Sequence, residues 1–115
     1  MTQDEVQVLR IRLDPERGAR MVEWARGLAG RQDEVAGALA REQITLETVA
    51  LERCADGLYL ILYQRAPSLT RASEIFAASD DPFDREMMAL IAETWAAVEP
   101  LEILLDVDMA ARQAS

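Results

Sequence analysis

The chain contains no histidine, lysine or asparagine, and it has one cysteine in 115 residues. Without histidine, the usual catalytic triads cannot form, and the side chain most used for acid–base catalysis near neutral pH is missing. Without lysine, no Schiff base with a carbonyl substrate can form. A zinc site would need grouped Cys and His ligands, and Cys54 stands alone. We therefore expect no catalytic set of a familiar type, no bound metal and no cofactor.

Basic side chains are also scarce, since 12 arginines stand against 21 acidic residues and the net charge is −9. The arginines are spread from Arg10 to Arg112, so a nucleic-acid backbone or an anionic membrane is a poor partner. Residues 1–5 lack the basic and apolar character of a signal peptide, and no apolar run reaches the ~20 residues that span a bilayer. With a single cysteine, these features predict an acidic, soluble, cytoplasmic protein.

Hydrophobic periodicity predicts the elements. Alternation predicts four β-strands, at residues 6–13, 44–53, 58–65 and 101–107. Helical spacing predicts helices at residues 15–41, 68–78 and 81–98, with Gly27 and Gly30 as sites for a break in the first. Ser68 and Asp81 are the expected N-caps of the later helices. Asp56-Gly57 predicts a two-residue hairpin turn between the second and third strands.

The predicted order β-α-β-β-α-α-β is typical of an α+β, ferredoxin-like fold. Short loops and right-handed crossovers then give a four-stranded antiparallel sheet in the order 4-1-3-2, with the helices on one face. Residues 1–109 are predicted to form one domain, followed by a short frayed tail at residues 110–115. The second face of the sheet is left without a covering layer, and any function is expected there.

The predicted hairpin divides the strand residues between the two faces and places Glu52 opposite Ile61. The open face mixes charged and aliphatic side chains. It is too apolar to be exposed to water and too charged to be buried within a single subunit. We therefore expect a second copy of the chain to cover it. Six residues of this face are candidate ligand-binding residues, although cross-strand ion pairs and dimer contacts are the simpler interpretation: Arg10, Arg12, Glu52, Tyr59, Tyr63 and Glu102.

Several segments resemble a known family. They include Leu13-Asp14-Pro15-Glu16, Glu23-Trp24-Ala25, Asp56-Gly57-Leu58-Tyr59-Leu60 and the ending at residues 100–106. The family is a bacterial group of small uncharacterised proteins similar to the dimeric α+β barrel (ferredoxin-like) superfamily. The resemblance implies an antiparallel homodimer in which two sheets face each other as a barrel. The superfamily includes small monooxygenases and haem enzymes, and the haem-binding members resemble one another through a histidine that this chain lacks.

The leading hypothesis is a homodimeric α+β barrel protein with no assigned activity and no assigned catalytic residue. The alternative is a cofactor-free small-molecule binder or enzyme, isomerase-like or monooxygenase-like, that uses arginine and carboxylate side chains inside the barrel. A third hypothesis, a module that binds a partner protein, predicts a large exposed apolar patch. A closed cavity with converging Arg, Glu and Tyr side chains on the open face would favour the alternative.

Overall fold

The computed structural model describes residues 3–114. Its strands are β1 (Glu5–Leu13), β2 (Leu46–Cys54), β3 (Gly57–Ala66) and β4 (Trp95–Pro100). Its helices are α1 (Gly18–Gly27), α2 (Gln32–Glu42), α3 (Leu69–Ala78), α4 (Pro82–Thr94) and α5 (Met109–Ala114). None of these helices is long and apolar enough to cross a membrane within the described residues.

The four strands form one antiparallel sheet in the order β2-β3-β1-β4. This is the predicted order 4-1-3-2 read from the other edge, so the α+β, ferredoxin-like class is confirmed. The long central strands β1 and β3 pair from Glu5 opposite Ala66 to Arg12 opposite Tyr59. Strands β2 and β4 occupy the edges.

Alternate residues of the two central strands pack against the helices. Ile11 and Leu13 from β1 meet Leu60 and Leu62 from β3 in a buried cluster. The helices contribute the buried Met21 and Val22 and the partly buried Trp24, Leu90 and Ile91. Because successive strand residues point to opposite faces, this cluster fixes which side chains lie under the helices and which lie on the open face.

The predicted caps and the predicted break agree with the structure. Ser68 Oγ accepts a hydrogen bond from the Arg71 amide at 3.1 Å, and Asp81 Oδ1 accepts one from the Phe83 amide at 2.9 Å. The predicted first helix is divided into α1 and α2 by a 3-10 turn at Leu28–Gly30. Helix α1 begins at Gly18 rather than at residue 15, and a Cβ on Gly18 would lie 2.6 Å from the Leu13 Cβ. Only glycine allows this close approach between β1 and α1.

The predicted register of the β2–β3 hairpin is wrong by two residues. Ala55 and Asp56 form the turn, and Gly57, at φ 140°, already pairs with Cys54. Glu52 is therefore opposite Tyr59 rather than Ile61. A shift of two leaves every side chain on its predicted face, so the division between the faces holds although the neighbours change.

The last predicted helix and strand are misplaced. Helix α4 ends at Thr94 rather than at residue 98, and β4 is Trp95–Pro100 rather than residues 101–107. The residues from Trp95 onward have apolar side chains at helical spacing, but pairing with Leu9–Leu13 of β1 satisfies their backbone groups instead. The tertiary contact has overridden the local pattern.

Residues 101–108 extend beyond the sheet without regular structure and expose several apolar side chains, with Leu104 87% and Leu105 81% exposed. Asp106 anchors this segment through an ion pair of 2.7 Å with Arg65. Helix α5 follows within the tail that was predicted to be frayed. The domain limits of 1–109 and 110–115 stay a prediction, and residues 1, 2 and 115 of those ranges lie outside the described residues.

Candidate ligand-binding cavity

A cavity of about 340 Å³ lies between the helices and the sheet, on the face opposite the predicted site. Its lining is mostly apolar and includes four aromatic side chains: Trp24, Phe76, Phe83 and Trp95. Volumes from about 300 Å³ upward are typical of small-molecule sites in proteins. Apolar pockets that also hold a few polar groups are the usual form of such sites, so the polar part of the lining decides what the cavity can do.

Three polar side chains cross the sheet in one row on the cavity side. Gln7, Gln64 and Glu47 occupy paired positions on β1, β3 and β2. Gln7 Nε2 donates to Gln64 Oε1 at 2.6 Å, and Gln64 Nε2 donates to Glu47 Oε1 at 2.6 Å. All three line the cavity. The chain of hydrogen bonds fixes one oxygen of the Glu47 carboxyl group, while burial raises the pKa of that group above its usual range.

A second carboxyl group, that of Glu42, lines the cavity from the C-terminal end of α2. Burial raises the pKa of Glu42 to about 7, and the nearby carboxylates of Glu47 and Asp84 add to the shift. The guanidinium group of Arg41 partly opposes it. Near neutral pH this side chain therefore changes between an acid and a base, which is the property that proton transfer requires.

Arg41 does not neutralise the cavity, because its own partners lie elsewhere. Its Nη2 atom is 3.1 Å from Asp84 Oδ1 and 3.1 Å from Asp81 Oδ1. Asp84 is 1% exposed, and it also accepts a hydrogen bond of 2.6 Å from Ser79 Oγ. This cluster ties α2 to the start of α4. Of the described residues that line the cavity, none is basic.

The side chain of Trp95 also lines the cavity. Its indole Nε1 is buried and has no hydrogen-bond acceptor among the described residues. A buried donor without a partner is unfavourable by about 1–3 kcal/mol, so such donors are rare in folded proteins.

A network on the protein surface fixes one wall of the cavity. The rings of Trp24 and Phe83 stack with centroids 5.8 Å apart, and the Arg31 guanidinium lies 5.1 Å from the Phe83 centroid. Glu86 accepts hydrogen bonds from Arg31 and from the Trp24 indole, and these bonds lower the pKa of Glu86 to about 2. Glu34 also binds Arg31, at 2.9 Å. The network joins α1, α2 and α4 around the aromatic wall.

The predicted site on the open face is built mainly of paired groups. Arg10 Nε donates to Glu52 Oε1 at 2.8 Å, and its guanidinium carbon lies 3.8 Å from the centroid of the Tyr59 ring. Tyr59 is only 7% exposed under this cover, and its hydroxyl donates to Asp56 Oδ2 at 2.7 Å. The hydrogen bond from Tyr59 and the charges of Arg12 and Arg10 lower the pKa of Asp56. The interpretation as cross-strand ion pairs describes these contacts well.

Of the remaining candidate ligand-binding residues, one lies on the open face and another lies outside the sheet. Tyr63 shares the open face, where its hydroxyl accepts a hydrogen bond of 3.0 Å from Arg65. Glu102 is not on the sheet, because the strand that was to carry it lies earlier in the chain. Glu99 is the acidic residue opposite Arg10 in the β1–β4 ladder. The binding role of the open-face residues stays a prediction.

Sequence reasoning missed the residues that line the cavity, although signals for them exist. Gln7, Glu47 and Gln64 have the same alternation as the buried residues of their strands, so polar side chains at inward positions of three neighbouring strands are the signal. Glu42 stands four residues after Ala38 and continues the apolar stripe of α2. The register error that placed Glu52 opposite Ile61 also separated Glu47 from Gln64 and hid the row.

Comparison with known proteins finds one family model that covers nearly the whole chain. The profile of DUF6176, described as a family of unknown function, matches residues 4–112. Among curated proteins, none matches.

Two solved structures are similar to this chain. One is Rv0793 from Mycobacterium tuberculosis, with 19% identity and a TM-score of 0.52 over 92% of this chain and 100% of that chain. The other is a monooxygenase from the gene ActVA-Orf6 of Streptomyces coelicolor in complex with Nanaomycin D, with 19% identity and a TM-score of 0.49 over 92% of this chain and 94% of that chain. At this identity, the likeness to the first supports the fold alone.

Proposed function

The chain belongs to the DUF6176 family of unknown function, and from that premise we propose that it binds a small, largely apolar molecule in the cavity between its helices and its sheet. The observation that carries this proposal is the row Gln7–Gln64–Glu47, which is set into an otherwise apolar cavity of about 340 Å³. A row of three polar side chains is a poor way to fill a core, since Leu or Val at the same positions would stabilise the fold more. Residues that lower the stability of a fold are expected at sites where a protein binds a ligand or catalyses a reaction.

The polar groups of the lining support the same proposal. The side-chain amides of Gln7 and Gln64 lie beside the carboxyl group of Glu47 on the cavity wall. The cavity therefore offers both amide and carboxyl groups to a guest. Such convergence of polar groups in an apolar pocket is what fixes the orientation of a bound ligand.

Filling the cavity tests the proposal. Ala38 is buried and lines the cavity from α2, whereas Ala36 is exposed on the same helix. We expect Ala38→Phe to weaken binding of the neutral fluorescent probe N-phenyl-1-naphthylamine by about tenfold or more, because the ring occupies the space of the ligand. Ala36→Phe is the matched control and keeps the affinity of the wild type.

Two further measurements complete this test. If Ala38→Phe does not fold, Ala25→Phe fills the same cavity from α1 at a half-buried position. Native mass spectrometry of the protein as purified reports any retained small molecule directly. Failure of the probe to bind the wild type, or equal binding by the filled variants, would contradict the proposal.

The proposal includes a homodimer that is formed through the open face of the sheet. This face exposes Arg12 on β1 and Glu99 on β4, so a two-fold axis can bring opposite charges together. It also carries the half-buried Ile61 and the exposed Leu46 beside those charges. The nearby segment 101–108 adds Leu104 and other exposed apolar side chains that a second copy would cover. A cytoplasmic, bacterial setting stays a prediction.

The dimer is tested by size-exclusion chromatography with light scattering, which should give about twice 12.8 kDa. Ile61→Asp should dissociate it, because a carboxylate would be buried in the interface without a partner. Val98 is exposed on the other face of β4, opposite Ile11, so Val98→Asp is the control that keeps the dimer. A wild-type monomer at micromolar concentration would refute the dimer, and an unchanged mass for Ile61→Asp would place the interface elsewhere.

Cofactor-free catalysis is a second candidate, and one observation favours it. Glu42 has a pKa of about 7 beside a second carboxyl group, so it is placed to take a proton from a bound molecule and return it. This favours isomerase-like chemistry with carboxyl groups rather than the predicted Arg–carboxylate pair. Deuterium exchange into the carbon next to the carbonyl of phenylacetone, followed by NMR, should exceed the buffer rate and fall to it in Glu42→Gln. Exchange at the buffer rate in the wild type would count against catalysis.

A further inference from the structure

The cavity contains acidic groups without a basic counterpart. Glu42 and Glu47 both line it, and among the described residues of the lining none is an arginine. The guanidinium group that acts on Glu42, that of Arg41, is bound to Asp81 and Asp84. A half-buried carboxylate normally has a cationic partner or several hydrogen bonds, so two such groups with neither mark an incomplete site.

The acceptor atoms that remain open can be identified. Gln64 Nε2 already donates a hydrogen bond to Glu47 Oε1, and among residues 3–114 no donor forms a hydrogen bond to Glu47 Oε2. Glu42 has neither a hydrogen bond nor an ion pair to any described residue. Glu42 and Glu47 share a mainly apolar lining with four aromatic side chains. An ammonium group next to aromatic faces gains from cation–π attraction as well as from the carboxylates.

From this arrangement we infer that the cavity selects a positively charged ligand, an organic amine or amidine attached to an apolar, ring-sized body, with Glu42 and Glu47 as its counter-ions. The inference rests on the proposed function and adds the charge class of the ligand. The same groups disfavour carboxylate and phosphate ligands, since an anion would meet like charges unless both carboxyl groups were protonated.

The titration of Glu42 gives an independent check. The groups that act on it are Glu47 from β2, Asp84 from α4 and Arg41 from its own helix. A cation that binds the ionised form displaces the proton from Glu42, so the amine should bind more tightly as the pH rises from about 6 to about 8. A neutral ligand held by the protonated form would show the reverse dependence.

The inference is tested with three molecules that share one ring and a similar length: 2-phenylethylamine, 2-phenylethanol and 3-phenylpropionate. Each is titrated against N-phenyl-1-naphthylamine bound to the full chain. The amine should displace the probe about tenfold better than the alcohol, and the carboxylate should be weakest. Glu47→Gln and Glu42→Gln should each bring the amine and the alcohol to within about threefold.

The control is Glu74→Gln, which removes an exposed carboxylate on α3 away from the cavity and should keep the tenfold preference. Circular dichroism checks that each variant is folded. Equal binding of amine and alcohol by the wild type, or tightest binding of the carboxylate, overturns the inference. Probe binding without competition by any of the three also counts against it and leaves the proposed function standing. Absence of probe binding ends both.

Discussion

The two faces of the sheet differ in whether their charged side chains have partners of opposite charge. On the open face, Arg10 pairs with Glu52 and covers Tyr59, and Arg65 pairs with Asp106. On the helix face, Glu42 and Glu47 are partly removed from water without a cation. The face that looks functional from its residue types is therefore the one on which Arg10, Glu52 and Arg65 already have partners. The face that looks like an ordinary core carries the unsatisfied ones.

Whether a charged group has a partner distinguishes structural charges from functional ones better than residue type does. A paired surface charge changes stability little, whereas a half-buried carboxyl group without a partner lowers it. The pKa shifts show the same contrast, since contacts with arginine lower the pKa of Glu86 and burial raises that of Glu42. Groups whose pKa is raised by burial inside a cavity are the ones to examine for binding or proton transfer.

The largest expected effect is a difference in stability between truncating a residue of the helix face and truncating one of the open face. Ile11 is fully buried under the helices, and Ile61 is half-buried on the open face. Ile11→Ala should lower the free energy of unfolding by about 3 kcal/mol or more because it leaves a void, and Ile61→Ala by about 1 kcal/mol. Urea denaturation measures both. If a second copy covers the open face, the loss for Ile61→Ala depends on protein concentration. Equal, concentration-independent losses would contradict the contrast.

The next effect concerns the pH dependence of stability. The pKa of Glu42 is raised on folding from 4.5 to about 7, so its ionisation opposes folding increasingly as the pH rises through that range. Glu42→Gln should therefore stabilise the protein by about 1–2 kcal/mol at pH 8, allowing for solvent screening, and much less at pH 5. Urea denaturation at the two pH values is the measurement.

Glu86→Gln is the control with the opposite sign. The pKa of Glu86 is lowered to about 2, so its ionised form stabilises the fold wherever the pH exceeds its ordinary value near 4.5. Its loss should destabilise the protein at both pH 5 and pH 8. A destabilised Glu42→Gln at pH 8 would show that Glu42 has a stabilising partner, and the cavity would then not be short of cations.

The sequence predicts the sheet order and the division between faces because both depend on robust signals. Alternation with a period of two survives a register error of two, so the faces are right although the neighbours of Glu52 are wrong. The caps at Ser68 and Asp81 are local chemistry and are also found in the structure. These features need no knowledge of distant contacts.

The errors arise where a distant contact decides the outcome. Residues 95–100 continue the helical spacing of α4, and only the free edge of β1 makes them a strand. Glu102 was therefore wrongly placed on the sheet, where the structure has Glu99 instead. The cavity could not be predicted because it depends on how far the helices stand from the sheet. Its polar row required the correct register among three strands as well as the correct faces.

The smallest expected effect tests whether the charges of the open face are structural. A double-mutant cycle with Arg10→Ala and Glu52→Ala should give a small favourable coupling energy, since the pair is partly exposed and its geometry is good. The amine preference of the cavity should be the same in all four proteins, because the pair lies on the other side of the sheet. A cycle in which the coupling is absent and ligand binding changes would reverse the comparison. It would return the binding role to Arg10 and Glu52, as the residue types alone suggest.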